Sequence, residues 1–288
     1  MQVALATSSE FPNLDPDDAP LVAALERRGL EPRPLVWDDP RCDWAATPIC
    51  IIRSTWDYFD RPDEFRAWAE RVGAVTELWN RAETIRWNSD KRYLRELGDH
   101  GVPTVPTLWL EPGSDVDIAY ELAMHDWGSA IVKPAIDGGA RRLMRVGPGE
   151  ADAGAAQAHV DTLLAGGAVL VQPFVESIER DGELSIVFVD GHFTHAVRKR
   201  PADDDFRVQP EWGGTNERVD PAPREHEAAG AVLTAAGRDF LYARVDLVGG
   251  HDGEPLLVEL EVIEPRLFLR SAPDAAEALA DAVAARLA

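Results

Sequence analysis

Short apolar runs alternate with stretches of helical spacing through the first part of the chain. Residues 2–7 form an apolar run that ends in Thr7-Ser8-Ser9 and predicts a first strand. Residues 19–30 carry apolar positions at helical spacing with a stop glycine at Gly29, which predicts a helix. Residues 33–37 and 49–52 predict a second and third strand, and residues 63–72 a helix after the Asp60-Arg61-Pro62 start. Strands alternating with helices imply a small parallel sheet. Ligand contacts in such sheets lie just past the strand C-termini. Arg53-Ser54-Thr55-Trp56-Asp57 occupies that place, and Arg53, Ser54 and Asp57 are the candidate substrate contacts.

The pattern then changes. A helix is expected at 90–97, followed by Gly101-Val102-Pro103 and a strand at 107–110. Residues 129–135 and 168–174 are two more strand-like runs, with the Gly138-Gly139 pair and an Ala-rich helix at 151–165 between them, which together suggest a separate compact lobe. Gly147-Pro148-Gly149 reads as a turn, and the acidic stretch 148–157 is too short to be disordered. Residues 183–198 alternate around Asp190-Gly191, a hairpin signal. A polar loop (201–222), a helix (223–238), a strand pair (242–248 and 255–263) and a final Ala-rich helix complete the chain, with no internal repeat.

At 288 residues the chain is long enough for two or three lobes. Its net charge of −22 repels nucleic acid and anionic membrane, so neither is an expected partner. Solubility, or adaptation to salty surroundings, explains that charge without a specific role. Cys42 and Cys50 make no disulfide framework and no paired metal-ligand spacing. The N-terminal residues lack a basic region and a long apolar stretch, and no apolar run reaches the roughly 18 residues a membrane span needs. A cytoplasmic location is expected.

Against this acidic background the chain has 26 arginines but only three lysines, Lys91, Lys133 and Lys199. A lysine offers a compact point charge with rotatable donors, suited to phosphate. Lys133 follows an apolar run and is followed by Gly138-Gly139. No lysine has the glycine and hydroxyl neighbours of a P-loop, so a nucleotide must be held another way. Downstream, Asp246 interrupts an apolar strand, and Glu259 and Glu261 alternate onto one face of the next. Carboxylates on adjacent strands form an oxygen-rich site suited to Mg²⁺; ion pairs to Arg244 or Arg266 are the structural alternative. Between these elements lies Asp205-Phe206-Arg207, followed by Trp212-Gly213-Gly214. Here Arg207 is placed to clamp a carboxylate or phosphate, and the glycines to let backbone approach it; a plain surface loop is the alternative.

The order of these motifs resembles the ATP-grasp superfamily, and the whole chain resembles its glutathione-synthetase-like branch. Arg-Ser-Thr-Trp-Asp-Tyr, Arg-Trp-Asn-Ser-Asp-Lys-Arg-Tyr-Leu and Asp-Phe-Arg-Val-Gln-Pro-Glu-Trp-Gly-Gly particularly resemble the D-cycloserine cyclo-ligase group. The resemblance implies an α/β ATP-grasp fold with an N-terminal Rossmann-like pre-ATP-grasp domain at 1–85, a central lid domain at 86–174 and a C-terminal domain with the metal site at 175–288. It implies ATP and Mg²⁺ as cofactors. Lys91 and Lys133 would hold the α- and β-phosphates under the Gly138-Gly139 turn. Gln172, Phe174 and Val175 would form the adenine hinge, and Glu183 would bind the ribose. Lys199, Arg200 and Arg207 would line the γ-phosphate and acyl-phosphate region, and Asp246, Glu259 and Glu261 would hold the metal. Gly213, Gly214 and Arg266 join the substrate set, Arg266 binding a substrate carboxylate or pairing with Glu264.

Three positions depart from the family pattern, one of them Arg266, which stands after Glu264-Pro265 where relatives often have a small residue. Relatives often carry Asn where Glu261 stands, and peptide-forming members often carry Asn where Gln209 stands. The implied activity is ATP-dependent joining of a small-molecule carboxylate and an amine through an acyl phosphate, on an amino-acid-like substrate. Intramolecular ring closure and a non-catalytic nucleotide-binding role are the alternatives. A homodimer is compatible with this reading and not required by it.

Overall fold

The computed structural model describes residues 1–147 and 153–288. Most of the Gly147-Pro148-Gly149 turn, the start of the acidic stretch 148–157 and the first two residues of the helix expected at 151–165 lie outside the described residues.

The chain opens with β1 (Gln2–Thr7), α1 (Ala19–Arg27), β2 (Glu31–Val36), β3 (Ile49–Ile52), α2 (Pro62–Gly73) and β4 (Glu77–Trp79). The strands form a parallel sheet in the order β2-β1-β3-β4. The two central strands are apolar on both faces because helices cover both. Val3, Leu5, Ile49 and Ile51 enter one core, and Ala4, Ala6, Cys50 and Ile52 the other. Gly29, at φ 72°, ends α1 where only a residue without Cβ adopts the left-handed turn freely. Leu21 and Leu25 of α1 are fully buried, so truncating either to Ala costs about 2–5 kcal/mol.

Next come α3 (Ala82–Asn88), α4 (Tyr93–Asp99), β5 (Leu108–Leu110), α5 (Ile118–Met124), β6 (Ala130–Pro134), β7 (Met144–Val146), α6 (Ala153–Leu164) and β8 (Val169–Pro173). Their strands make an antiparallel sheet in the order β5-β8-β6-β7. Ala130 and Val132 pack with Ile118 and Val160 beneath the helices. Alternation therefore turns Ile131 and Lys133 to the opposite face. Residues 93–102 do not share this core. Tyr93, Leu94, Leu97 and Val102 pack with the last sheet instead.

That sheet follows α7 (Ser177–Asp181) and comprises β9 (Glu183–Val189), β10 (His192–Arg200), β11 (Thr215–Val219), β12 (Tyr242–Gly249) and β13 (Pro255–Glu261), with α8 (Pro223–Ala236) before β12 and α9 (Pro273–Arg286) at the end. The order is β11-β10-β9-β12-β13, all antiparallel. Strand β11 falls inside the segment expected to be a polar loop. Its residues are polar and mostly exposed, so periodicity cannot reveal a strand that only its pairing with β10 defines.

Leu184, Ile186 and Phe188 of β9, with Ala243, Val245 and Leu247 of β12, enter the core under α8. The opposite face changes character along its length. Val187, Val189 and Tyr242 join α9 and α1 in a core, whereas Glu183, Arg244 and Asp246 face a cleft. The register shift between Asp246 and Leu247 makes Val258 the extra residue of a bulge, which allows both Leu257 and Leu260 to be core residues. Among the described residues no helix is long and apolar enough to cross a membrane.

Candidate active site

A cleft of about 380 Å³ lies where the three sheets meet. Strand register assembles its polar floor. Lys199 stands directly opposite Glu183 on β10 and β9, Ser185 opposite Asp246 on β9 and β12, and Asp246 opposite Glu259 on β12 and β13. Arg244 stands opposite Glu261. Directly opposed side chains of opposite charge on one face are within reach of each other, and these pairs form. Lys199 bridges Glu183 and Asp246, the latter at 3.1 Å. Arg244 grips both oxygens of Asp246, at 3.0 and 2.8 Å, and pairs with Glu261. The Ser185 hydroxyl donates to Asp246 at 2.6 Å.

These contacts fix the charge states. Burial pushes Asp246 up, but Arg244 and Lys199 outweigh it and hold the carboxylate below its usual range. Glu261 is pushed up to about 7 by burial, with Arg244 opposing and Glu259 adding to the rise. Lys91 reaches the same floor from the turn before α4, 3.0 Å from Glu259, and donates to the Asp137 carbonyl at 2.6 Å. Lys133 differs from the other two lysines. It is 8% exposed, and among the described residues no carboxylate pairs with it. Burial holds its pKa down at about 8, Glu259 countering and Lys91 adding to the fall.

Lys133 also lines a second, smaller cavity of about 90 Å³. That cavity is bounded by Gln172 of β8 and by Phe174 and Val175 just after it, with apolar walls from Val105, Ile131 and Phe206. Lys133, Glu183 and Arg207 add charged groups to its rim. Glu183 and Gln209 line both cavities.

Gly138 and Gly139 roof the main cleft. A Cβ on Gly138 would come within 1.9 Å of the Phe59 ring, and the Trp212 indole donates to the Gly139 carbonyl at 3.2 Å. Arg207 stacks on Trp212, its guanidinium carbon 3.3 Å from the ring centre, and pairs with Asp205 at 2.6 Å. It lines the smaller cavity.

Several candidates lie elsewhere. Arg53 is 2% exposed; it pairs with buried Asp18 at 2.8 Å and donates to the Pro265 carbonyl at 3.1 Å. Ser54 donates to Asp18, and Asp57 accepts from Trp37 and Arg61. None of the three lines either cavity; each is engaged by partners within the chain, although Arg53 Nη1 is buried without one. Arg200 donates to the Arg180 carbonyl and is likewise absent from the lining. Gly213 and Gly214 form the tight turn after Trp212, where a Cβ on Gly214 would meet the Val208 carbonyl at 2.2 Å. Their role there is conformational. Arg266 lines the cleft and pairs with Glu211 at 3.2 Å, leaving Glu264 apart.

Among the described residues no three carboxylate, imidazole or thiol side chains converge as a ready-made metal cage. Mg²⁺ takes one or two carboxylates and completes its shell with water and substrate phosphates. Glu259 and Glu261 fit that part. Asp246, with both oxygens engaged, stands beside them within the cation network. The sequence reading placed Trp56 in the substrate-facing segment without singling it out, and missed Phe59 and Glu264, which also line the cleft. The apolar and acidic side chains there carry no spacing that marks them.

Comparison with known proteins was consistent along the chain. Residues 3–80 match the N-terminal domain family of D-cycloserine synthetase DcsG, and residues 116–269 match the ATP-grasp domain family of prokaryotic glutathione synthetase. Cycloserine biosynthesis protein DcsG of Streptomyces lavendulae is 35% identical over 99% of this chain and 98% of its own length. The crystal structure of D-cycloserine synthetase DcsG superposes with a TM-score of 0.90 at 34% identity, covering both chains fully. ATP-grasp ligase PsnB, solved with Mg and ADP, shares the fold alone, at TM-score 0.69 and 18% identity over 99% and 98% of the chains.

Proposed function

Since the chain belongs to the ATP-grasp ligases, enzymes that form a C–N bond, we propose that it activates the carboxylate of an amino-acid-like small molecule with ATP. The carboxylate oxygen attacks the γ-phosphorus, the bond to the β-phosphate oxygen breaks, and ADP leaves. An amine-type nitrogen then attacks the acyl carbon, loses a proton and expels phosphate. Positioning and charge neutralisation supply most of such catalysis, which agrees with a site built of cations and carboxylates.

One observation carries this reading: among the described residues Lys133 is a buried ammonium without a carboxylate partner, at the junction of the two cavities. A buried charge is costly without a counter-charge, and a polyphosphate provides one. Lys133 and Lys91 take the α- and β-phosphates beneath Gly138-Gly139. The smaller cavity takes the adenine against Gln172, Phe174 and Val175, and Glu183 at the junction faces the ribose. Lys199 serves the γ-phosphate side, with Arg244 holding the floor in register, whereas Arg207, expected there, lines the smaller cavity on the base side. Glu259 and Glu261, with Asp246 behind them, would hold Mg²⁺, which neutralises charge on the transferring phosphate when bound. The lobes are assigned as 1–85, 86–174 and 175–288, with residues 93–102 of the central segment packed on the sheet of the last lobe, and the enzyme is assigned small-molecule partners in the cytoplasm.

Ring closure within one substrate is a second reading, favoured by a specific observation. The N-terminal segment that matches the D-cycloserine synthetase family supplies Phe11, Trp56 and Phe59 to the cleft. Mass spectrometry of a metabolite pool incubated with enzyme, Mg²⁺ and ATP separates the two. Cyclisation gives a product lighter than a single substrate by one water; intermolecular ligation joins two substrates with loss of one water. Lys133→Ala is expected to lower ADP release by about a thousandfold with the fold intact by circular dichroism. Unchanged turnover would remove the phosphate assignment and the reading with it.

A further inference from the structure

Glu264 follows β13 by three residues and is 7% exposed. Its carboxyl lines the main cleft, yet among the described residues no cation pairs with it; its hydrogen bond is to its own main-chain N–H. Other carboxylates of the floor have partners: Asp246 and Glu261 have Arg244, Glu183 has Lys199 and Glu259 has Lys91. Arg266, two residues on, is turned to Glu211.

The segment is held rigidly. Trp56 Nε1 donates to the Glu264 carbonyl at 2.9 Å, Arg53 to that of Pro265 and Arg244 to that of Arg266 at 3.1 Å each. Three donors from two lobes thus fix the backbone that carries an unpaired, buried acid. Burial, and then the Glu261 and Glu259 carboxylates, push Glu264 well above the usual carboxylate range, with Lys91 opposing. With Glu259, Glu261 and Glu264 gathered along this end of the cleft, a cation bound there would be favoured, and it would hold Glu264 ionised.

The walls say which kind. Phe11 and Trp56, edge to face at 5.1 Å, line the cleft with Tyr58 and Ile263. A hard divalent ion needs about six oxygen ligands and gains none from aromatic walls. An organic ammonium is satisfied by one carboxylate and tolerates aromatic faces.

We propose that Glu264 is the subsite for the substrate's primary ammonium group, so that the enzyme selects zwitterionic amino-acid-type substrates over the same acids without the amine. This rests on the ligase reading above. With the ammonium anchored there, the carboxylate of an α-amino acid is directed toward the floor around Glu261, where the transferring phosphate is expected. Arg53 thereby acts as a positioning residue for Glu264, through Pro265.

The test uses the full chain saturated with Mg-ADP and two probes, D-cycloserine and the same ring without its amino group, isoxazolidin-3-one, titrated by calorimetry. The wild type is expected to bind the aminated ring on the order of 30-fold more tightly, the range of a charge-assisted contact. Glu264→Gln is expected to shrink that preference to about threefold, and Glu264→Asp, which keeps the charge, to retain part of it. Equal affinity of the wild type for both rings, or binding of neither, overturns the subsite, and so does an undiminished preference in Glu264→Gln. The wild-type ring comparison stands even if a variant misfolds. ADP release that is lost in Lys133→Ala reads the ligase assignment separately, so turnover without amine preference sinks the subsite alone.

Discussion

Arg53 and Lys133 are both buried cations near the C-terminal ends of strands, one after β3 and one in β6. Arg53 has a buried carboxylate, Asp18, within 2.8 Å. Lys133 has none among the described residues. The first belongs to a latch: Arg53 ties the parallel sheet to the backbone after β13, and Asn80 does the same by donating to the carbonyls of Tyr242 at 2.9 Å and Val262 at 2.6 Å. The second belongs to the cleft. A buried charge that is matched within the chain holds the lobes together, and an unmatched one is available to a ligand.

The largest effect expected from breaking this contrast is on stability. Arg53→Ala leaves Asp18 buried without a counter-charge, and the fold should lose about 3–5 kcal/mol in urea unfolding. Burial already pushes Asp18 up even with Arg53 beside it, so the Asp18→Asn, Arg53→Met double variant should lose much less than the two single losses together. If Arg53→Ala instead kept full stability and lost substrate binding, the latch would be refuted and Arg53 would be a substrate contact.

A second, smaller effect concerns the roof. Gly138→Ala places a Cβ inside the Phe59 ring, so the loop must lift. Turnover measured by ADP release should fall roughly a hundredfold, an overpacking effect of about 1–3 kcal/mol. Adding Phe59→Ala should restore most of it. Failure of that rescue would show that Gly138 matters for its conformation and not for the space above Phe59.

The mildest test sharpens the Lys133 side by pH. With the Lys133 pKa held down to about 8, the empty cleft loses its ammonium as pH rises past that value, while a bound polyphosphate retains it. Affinity for Mg-ADP should therefore fall about tenfold between about pH 7 and about pH 9, with proton uptake on binding visible in calorimetry. Lys133→Arg should flatten the profile. The sign is opposite for folding. Burial disfavours the charged form, so the Lys133 contribution to stability improves between the folded pKa of about 8 and the unfolded value of about 10.4.

Periodicity located most of the strands and long helices to within a few residues. It also placed Glu259 and Glu261 on one face, because side-chain direction follows from spacing alone. Lys91 and Lys133 could be singled out because lysine is so scarce here. Other features left no mark in the linear order. Strand β11 exists by pairing, and β4, three residues long, by joining β3. Glu264 gained its cleft position from a backbone clamped by side chains of two lobes.

The sequence by itself determined which faces are apolar, where the chain turns and which charges lie on the strands. Only the tertiary structure decided which charges have partners. Asp18 lies 35 residues from Arg53, and Glu183 lies 63 residues from Asp246, with Lys199 between them in space. Local spacing fixes the direction of a side chain. Whether a buried charge becomes a latch or a binding site depends on counter-charges brought from distant segments, which only the packed fold supplies.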